Sequence, residues 1–244
     1  MIQHASITSP GERPRNEDAV SAFQNIRTST YAYVLADGLG GHGNGDIASN
    51  FVADCVGAAI ENMDSSGETF IDQCFDTAQN LLMEEKDRSG YMSIKTTMVL
   101  LLITGNEATW GHIGDSRLYH FRNGKLLGRT LDHSVPQMLA LTGQIKEKDI
   151  RHHPARSTLL RAMGAEWDNP EYEIDARHVR LEKGDSFLLC SDGFWEWIDE
   201  KKMQKILKKD ISPYDTLRTM EAEVKLKGRG KNMDNYSAIL VTVK

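Results

Sequence analysis

Residues 31–42 have the sequence YAYVLADGLGGH, in which an apolar run ends at an acidic residue followed by glycine. The first six residues are apolar and include aromatic and β-branched side chains, and a run of this length favours a buried strand. Asp37-Gly38 is a pair typical of the turn at the end of a strand. The stretch therefore predicts a strand at residues 31–36 with a carboxylate at its C-terminal end.

Outward from this strand, the chain is organised in blocks of strands and helices. Asp46 is expected to cap a helix that continues to about Ile60, because apolar residues recur there at helical spacing. Further helices are predicted at about Glu68–Lys86, Glu200–Lys208 and Tyr214–Lys225. The other predicted strands are Ile2–Thr8, Ala19–Phe23, Thr97–Thr104, Glu107–Ile113, Arg117–Phe121, Lys125–Leu127, Glu171–Val179, Ser186–Ser191 and Tyr236–Val243.

The order of these blocks indicates the fold class. It lacks the regular strand–helix alternation of a doubly wound parallel sheet, and it favours antiparallel sheets packed together with helices outside. Asn123-Gly124 separates two of the strands and predicts a hairpin, because both residues tolerate positive φ. We therefore predict an α+β fold, formed as one domain over residues 1–244 because no linker or repeat divides the chain.

The composition is that of an ordinary globular protein. Of the 244 residues, 40% are hydrophobic and 26% are charged, and the formal net charge is −6. This acidic balance argues against binding to nucleic acid or to an anionic membrane, both of which require a basic surface. The chain shows no signal-peptide pattern and no apolar run of membrane-spanning length, so we expect a cytoplasmic protein. We also expect a monomer. Cys55, Cys74 and Cys190 lack metal-site spacing and are expected to be buried reduced thiols.

Acidic residues stand beside several predicted strands. Asp37, Asp115 and Asp192 each follow a strand, whereas Asp234 and the pair Glu17-Asp18 each precede one. Any one of them alone is best explained as a turn residue. If the strand ends lie together, however, the carboxylates repel one another unless cations neutralise them. An oxygen-only ligand set favours Mg²⁺ or Mn²⁺, and two such ions ~3.5–4 Å apart can activate a water molecule for attack.

Six short motifs in a fixed order carry a resemblance to a known family. They are Arg13-x-x-Asn16-Glu17-Asp18, Ala36-Asp37-Gly38-Leu39-Gly40-Gly41-His42, Thr96-Thr97, Gly114-Asp115-Ser116-Arg117, Ser191-Asp192-Gly193 and Asp234-Asn235. Together they resemble the metal-dependent PPM family of serine/threonine protein phosphatases (type 2C), in its compact bacterial form. The resemblance extends from about Ile2 to Val243, and residues 130–165 resemble the flap segment of that family.

The resemblance implies a fold, an activity and a set of site residues. The implied fold has two central antiparallel sheets packed as a sandwich, flanked by helix pairs, with two metal ions and a weaker third at one edge. The implied activity is hydrolysis of phosphoserine and phosphothreonine in proteins, opposing a protein kinase, by direct attack of a water or hydroxide that bridges two Mn²⁺ or Mg²⁺ ions. The resemblance implies that Arg13 binds the phosphate and that Asp18 orients a metal-bound water. It implies that Asp37 bridges both ions, that Asp192 and Asp234 complete the first ion site, and that Glu17 and the carbonyl of Gly38 contribute to the second. Asp115 would form the third site with Asp192.

The chain departs from the family pattern at a few positions. Leu39 stands where animal relatives often carry a histidine that is proposed to protonate the leaving group. His42 or a metal-bound water would then supply that proton. Lys95 stands where a glycine usually precedes Thr96-Thr97. Arg15 is an alternative to Arg13 as the phosphate ligand.

Other interpretations of the same residues are weaker. A catalytically silent binding protein of the same fold would be expected to have lost a metal-binding acid, yet each expected acid is present. Residues 38–43 satisfy the GxGxxG pattern of a dinucleotide-binding oxidoreductase, but Asp37 would then face a pyrophosphate, and a second helix follows where a strand is required. His133, His152 and His153 are expected to be isolated surface residues of a polar loop rather than metal ligands.

Overall fold

The computed structural model describes residues 1–39, 44–63, 67–90, 94–209 and 211–244, and it confirms the α+β class. The strands are β1 (Ile2–Ser9), β2 (Asp18–Asn25), β3 (Thr30–Leu39), β4 (Lys95–Thr96), β5 (Met98–Thr104), β6 (Glu107–Ile113), β7 (Arg117–Arg122), β8 (Lys125–Arg129), β9 (Glu173–Arg180), β10 (Asp185–Cys190) and β11 (Tyr236–Val243). The helices are α1 (Gly45–Glu61), α2 (Gly67–Ser89), α3 (Val135–Leu141), α4 (Asp192–Trp195), α5 (Glu200–Leu207) and α6 (Pro213–Gly228), with a 3-10 turn at Glu147–His152.

The strands form two antiparallel sheets. The first has the order β1-β11-β10-β7-β8, and the second has the order β2-β3-β5-β6-β9, with β4 paired to the end of β3. Alternate side chains of a strand point to opposite faces, so each buried strand contributes to two apolar layers. Leu35 and Leu189 lie in the layer between the sheets, Val34 packs outward with α1 and α2, and Leu188 packs outward with α5 and α6. The result is the predicted sandwich with a helix pair on each outer face.

Two local predictions have different outcomes. The hairpin at Asn123-Gly124 is confirmed, since these residues join β7 to β8 with φ values of 50° and 68°. The predicted cap is wrong, because α1 begins at Gly45 with Asn44 as its N-cap, and Asp46 is the second residue of the helix. Asp46 still lies in the first turn, where a negative charge interacts favourably with the helix dipole.

The strand that contains Asp37 is longer than its sequence predicts. β3 does not end at Ala36 but continues to Leu39, because Gly38 and Leu39 pair with Thr96 and Lys95 of β4. Asp37 therefore lies inside a strand and not in a turn. Its backbone is held by β2 on one side and by the β4 region on the other.

Residues 130–165, the segment that resembles the flap, contain α3 and the 3-10 turn. An isolated bridge between Ser134 and Leu159 joins the two ends of the segment to each other, and a second bridge between Met163 and Thr96 ties the returning end to β4. Ser134 also caps α3, since its side chain accepts a hydrogen bond from the backbone N–H of Gln137. Across the described ranges, no helix is both long and apolar enough to cross a membrane.

Candidate active site

A cavity of about 740 Å³ opens at one edge of the sandwich, and it gathers the acidic residues that the sequence singled out. Its lining includes Arg13, Glu17, Asp37, Gly38, Asp115, Asp192 and Asp234. Asp18 lies directly behind this lining and is only 8% exposed. Acidic residues from five separate parts of the chain are thus brought to one place.

Asp37 is positioned by the strands on either side of it. In the β2–β3 register it lies opposite Asp18, which places two carboxylate-bearing residues side by side. Its backbone N–H donates to Oγ1 of Thr97 at 3.0 Å, and its carbonyl accepts from the N–H of Thr97 at 2.9 Å and from Oγ1 of Thr96 at 2.9 Å. Thr96-Thr97 therefore holds the backbone of Asp37 through three hydrogen bonds.

Gly38 occupies a position that has no room for a side chain. A Cβ atom added there would meet the carbonyl oxygen of Gly45 at 2.2 Å and that of Glu17 at 2.7 Å. Its own N–H donates to the carbonyl oxygen of Glu17 at 3.0 Å. The close approach brings β3, the Glu17 backbone and the start of α1 together at the cavity.

Asp192 and Asp18 share a hydrogen-bonded support. Asp192 is the first residue of α4 and directly follows Ser191, whose hydroxyl donates to Oδ2 of Asp18 at 2.8 Å. The backbone N–H of Ser237 donates in turn to Oγ of Ser191 at 2.9 Å. Ser191 therefore links the ends of β2, β10 and β11 beneath the cavity.

Asn235 joins the first strands to the last one. Its Oδ1 accepts from the N–H of Glu17 at 2.8 Å, and its Nδ2 donates to the carbonyl oxygens of Pro10 and Arg15 at 3.0 and 2.8 Å. The loop before Glu17 is thereby fixed against Asp234. At the mouth of the cavity, Nη2 of Arg13 contacts Oδ2 of Asp234 at 3.0 Å. Arg15 also lines the cavity, so both candidate phosphate ligands lie there.

The electrostatics of the cavity favour bound cations. Burial raises the pKa of Asp18 to about 7, and the charges of Asp192 and Asp234 act in the same direction. Burial, followed by repulsion from neighbouring carboxylates, also raises the pKa values of Asp37 and Asp115 well above the usual range. Oδ1 of Asp18 is buried and has no hydrogen-bond partner among the described residues. Closely packed oxygen donors of this kind fit hard divalent cations such as Mg²⁺ and Mn²⁺.

Sequence reasoning missed Arg156, a flap residue that reaches into this acidic cluster. Its guanidinium forms an ion pair with Asp192 and another with Oε2 of Glu196 at 3.2 Å. It also lies over the ring of Trp195 at 5.8 Å from the ring centre. One arginine in a polar loop gives no sequence signal, because only the folded flap brings it to Asp192.

The histidine prediction is wrong for His133, which is buried and not a surface residue. Its ring stacks on that of His112 with 4.6 Å between the ring centres, and candidate ligand atoms of His112, His133 and Glu173 lie within 4.8 Å of one another. The two rings are within 25° of parallel, so their nitrogen lone pairs do not converge on one ion. We therefore assign these histidines to hydrogen bonding. His152 is exposed as expected, whereas His42 lies outside the described residues.

Two packed antiparallel sheets, outer helix pairs and a carboxylate-lined cavity at one edge are the features that the resemblance to a metal-dependent phosphatase predicts. Residues 12–227 match the family model described as Protein phosphatase 2C. The chain belongs to the protein phosphatase 2C family, which confirms the predicted family and the predicted enzyme class.

Individual relatives agree with this assignment. The chain is 30% identical to the protein phosphatase PhpP of Streptococcus pneumoniae, over 97% of this chain and 96% of that protein. Its structure is similar to that of the S. agalactiae serine/threonine phosphatase, with a TM-score of 0.86, 26% identity and full coverage of both chains. It is also similar to the catalytic domain of the serine/threonine protein phosphatase PstP in complex with 2 manganese ions, with a TM-score of 0.81, 25% identity, and coverage of 99% and 97%.

The dinucleotide-binding alternative does not agree with this fold. Within the described ranges, α1 is followed by α2, and the paired strands are antiparallel. A dinucleotide-binding unit requires a parallel strand directly after its first helix. The glycine-rich segment therefore belongs to the edge of the acidic cavity, as far as Leu39, and its remainder lies outside the described residues.

Proposed function

We propose that this chain hydrolyses phosphoserine and phosphothreonine in proteins, and that the reaction takes place in the acidic cavity with the help of divalent cations. The observation that carries the proposal is the convergence of Asp37, Asp115, Asp192 and Asp234 on one cavity of about 740 Å³, with Arg13 at its mouth. A cavity this acidic cannot receive a phosphate dianion unless cations offset the carboxylate charge.

The residues fit a set of two ions and a third, weaker one. Asp37 would contact both principal ions, Asp192 and Asp234 would complete the first site, and Glu17 with the carbonyl of Gly38 would contribute to the second. The third ion would be held between Asp115 and Asp192. Bound divalent ions supply charge neutralisation at phosphorus and lower the pKa of water, so that attack can occur at neutral pH. The structure of the PstP catalytic domain in complex with 2 manganese ions supports a pair of principal ions here.

Arg13 is the proposed phosphate ligand. Its side chain is 41% exposed at the mouth of the cavity and pairs with Asp234. The guanidinium can therefore bind an incoming phosphate without a change in any strand or helix. A guanidinium offers a planar pair of N–H donors that matches two phosphate oxygens, whereas an ammonium offers a single point of charge. Arg15 lies on the same wall, so a direct comparison of the two residues is needed.

Asp18 is the proposed acceptor for a proton of the attacking water. Its Oδ2 is occupied by the Ser191 hydroxyl, while its buried Oδ1 has no hydrogen-bond partner in the described structure. A carboxylate fixed at one oxygen and unpaired at the other can orient a water molecule at short range. Leu39 lines the cavity and has no proton to give, so we propose that water protonates the leaving alkoxide.

The substrates and setting follow from the same proposal. We propose phosphorylated protein substrates, turnover that opposes a serine/threonine kinase, and a monomer located in the cytoplasm. Cys55, Cys74 and Cys190 are free, which suits a reducing compartment. Light scattering and cell fractionation test the last two points.

The test measures Mn²⁺-dependent phosphate release from a phosphothreonine peptide. Asp37→Asn and Asp192→Asn are expected to lower the rate by at least about 100-fold, because each removes a charge that holds the cations. Chelation by EDTA should abolish the activity of the unaltered protein. Asp54→Asn, which alters an exposed carboxylate on α1, is the matched control and should leave the rate unchanged.

Two outcomes would contradict the proposal. Full activity in EDTA, or in either cavity variant, would show that the acidic cavity is not the site of hydrolysis. Calorimetry that detects no binding of Mn²⁺ or Mg²⁺ to the unaltered protein would favour the catalytically silent alternative.

A further inference from the structure

His133 forms a reciprocal pair of hydrogen bonds with Gly114, the residue directly before Asp115. The backbone N–H of His133 donates to the carbonyl oxygen of Gly114 at 2.8 Å. The N–H of Gly114 donates back to Nδ1 of the His133 ring at 3.3 Å. Because His133 is only 7% exposed, water does not compete readily for either bond. The loop that carries Asp115 is thus attached to His133 at two points.

The other side of this loop is held by Thr97. Gly114 has φ of +97°, and a Cβ atom added there would meet Cβ of Thr97 at 2.8 Å. Oγ1 of Thr97 lies 2.8 Å from Oγ of Ser116, the residue directly after Asp115. Asp115 therefore sits between two anchored neighbours. Thr97 anchors the loop from the sheet side, and His133 anchors it from the flap side.

His133 also holds the base of the flap. Its carbonyl oxygen accepts from the N–H of Leu160 at 2.8 Å, and the next residue, Ser134, forms a bridge with Leu159. His133 and Ser134, on the outgoing segment of the flap, are therefore paired with Leu160 and Leu159 on its returning segment. A change in its position would move the flap base and the Asp115 loop together.

The ring of His133 is held in one protonation state. Nδ1 must carry a lone pair to accept from Gly114, so the proton lies on Nε2, which is 3.3 Å from Oε1 of Glu173 but makes no hydrogen bond within the described residues. Burial, followed by the neighbouring His112, lowers the pKa of His133 to about 4 and keeps the ring neutral near pH 7. His112 is itself fixed, because its Nε2 lies 2.7 Å from the carbonyl oxygen of Leu131.

We propose that His133 is a positioning residue for Asp115, and that its Nδ1 lone pair sets the affinity of the third cation site formed by Asp115 and Asp192. The proposal rests on the proposed metal-dependent function. It adds to that function a residue which touches neither substrate nor cation. Residues that orient metal ligands in this way affect metal affinity by about 10- to 100-fold.

A pair of variants separates the two ring nitrogens. In His133→Asn the amide oxygen can take the place of Nδ1, whereas in His133→Gln the amide lies where Nε2 lay. In calorimetric titration with Mn²⁺, the affinity of the weakest class of sites should fall by about tenfold or more in His133→Gln, while the affinity of the tighter sites is unchanged. His133→Asn should retain that weak class. His4→Gln, at an exposed histidine on β1, is the control and should match the unaltered protein.

A second measurement needs neither metal nor activity. In the metal-free protein, exchange of the Gly114 amide hydrogen should be slow, should accelerate in His133→Gln, and should stay slow in His133→Asn. The ¹⁵N shifts of the unaltered His133 ring should show a proton on Nε2. A proton on Nδ1 instead would overturn the proposal even if His133→Gln fails to fold.

The outcomes also separate this inference from the proposed function. If the unaltered protein binds no Mn²⁺, the proposed function fails, while the Gly114 amide still tests the His133 contact. If the unaltered protein binds Mn²⁺ and His133→Gln keeps the weak class at full affinity, the role assigned to His133 is wrong. Loss of the weak class in His133→Asn as well would refute the role of the Nδ1 lone pair.

Discussion

At the residue scale, the site consists of carboxylates whose mutual repulsion is tolerated because neighbouring polar groups fix each of them. Thr97 holds the backbone of Asp37, Ser191 holds Asp18, and Asn235 holds the loop that carries Glu17. The bonds to Asp37 and Glu17 use their backbone N–H groups, and the bond to Asp18 uses only its Oδ2. These bonds therefore leave the carboxylate oxygens of Asp37 and Glu17, and Oδ1 of Asp18, available to cations. The cations and the phosphate are therefore expected to meet ligands that need little rearrangement.

Arg13 and Arg15 can be separated by substitution with lysine, which keeps the charge but removes the paired donors. We expect Arg13→Lys to lower kcat/KM by about 100-fold, because a donor aimed at the transferred group contributes on that scale. Arg15→Lys is the matched control, since Arg15 lies on the same wall of the cavity. It should retain most of the activity. Steady-state kinetics with a phosphothreonine peptide measures both, and the opposite order of effects would identify Arg15 as the phosphate ligand.

The sequence predicted the acidic residues of the site better than the residues that contact or position them. Asp37, Asp192 and Asp234 were expected to converge, because acids at strand margins combined with a family resemblance point to one cavity. Arg156 and His133 were not expected there. Their roles depend on where the flap packs against the sandwich, and no local pattern encodes that packing.

At the element scale, the junction of β3 with β4 does most to shape the cavity. β4 has only two residues, yet its pairing extends β3 beyond Asp37 as far as Leu39. A two-residue strand leaves no periodic pattern in the sequence, so the end of β3 was predicted three residues too early. The helices of the flap were missed for a similar reason, because they are short and lie in a polar segment.

Gly38→Ala tests the close approach at this junction. The new methyl group would meet backbone carbonyl oxygens of Gly45 and Glu17 at 2.2 and 2.7 Å, and backbone cannot move aside as a side-chain end can. We expect a loss of about 1–3 kcal/mol in the free energy of unfolding, measured in urea, together with loss of phosphatase activity. Gly128→Ala on β8 is the control, because nothing lies within 4 Å of its added Cβ. Equal stability of the two variants would contradict the crowding at Gly38.

At the scale of the whole molecule, pairing of the first and last strands brings distant acids together. β1 pairs with β11 from Ile2–Val243 to Ser9–Tyr236, so the loop that follows β1 lies beside Asp234. The N–H of Glu17 reaches Asn235 across 218 positions of sequence. The order of strand and helix blocks predicted packed antiparallel sheets, but the pairing of the first strand with the last was available only through the family resemblance.

The stability of the whole protein should depend on pH and on Mn²⁺ through the same acids. The folded-state pKa of Asp18, about 7, lies above the ordinary aspartate value of 3.8, so folding favours the protonated form. Stability from this group is fully present below the lower value and is lost as the pH rises through about 7. His133 has a folded-state pKa of about 4, below the ordinary histidine value of 6.5, so its opposing effect on stability is largely complete by pH 6.5.

We therefore expect the metal-free protein, kept in EDTA, to be less stable in urea at pH 8.0 than at pH 6.5, by about 1 kcal/mol for a single such group. Mn²⁺ should stabilise the protein more at pH 8.0 than at pH 6.5, because cations bind the deprotonated carboxylates. Asp18→Asn cannot ionise at this position and should reduce the pH dependence without Mn²⁺, while Asp37 and Asp115 retain their own contributions. A metal-free protein that gains stability between these two pH values would show that the acids of the cavity are already ionised, and that the cavity does not need cations to balance them.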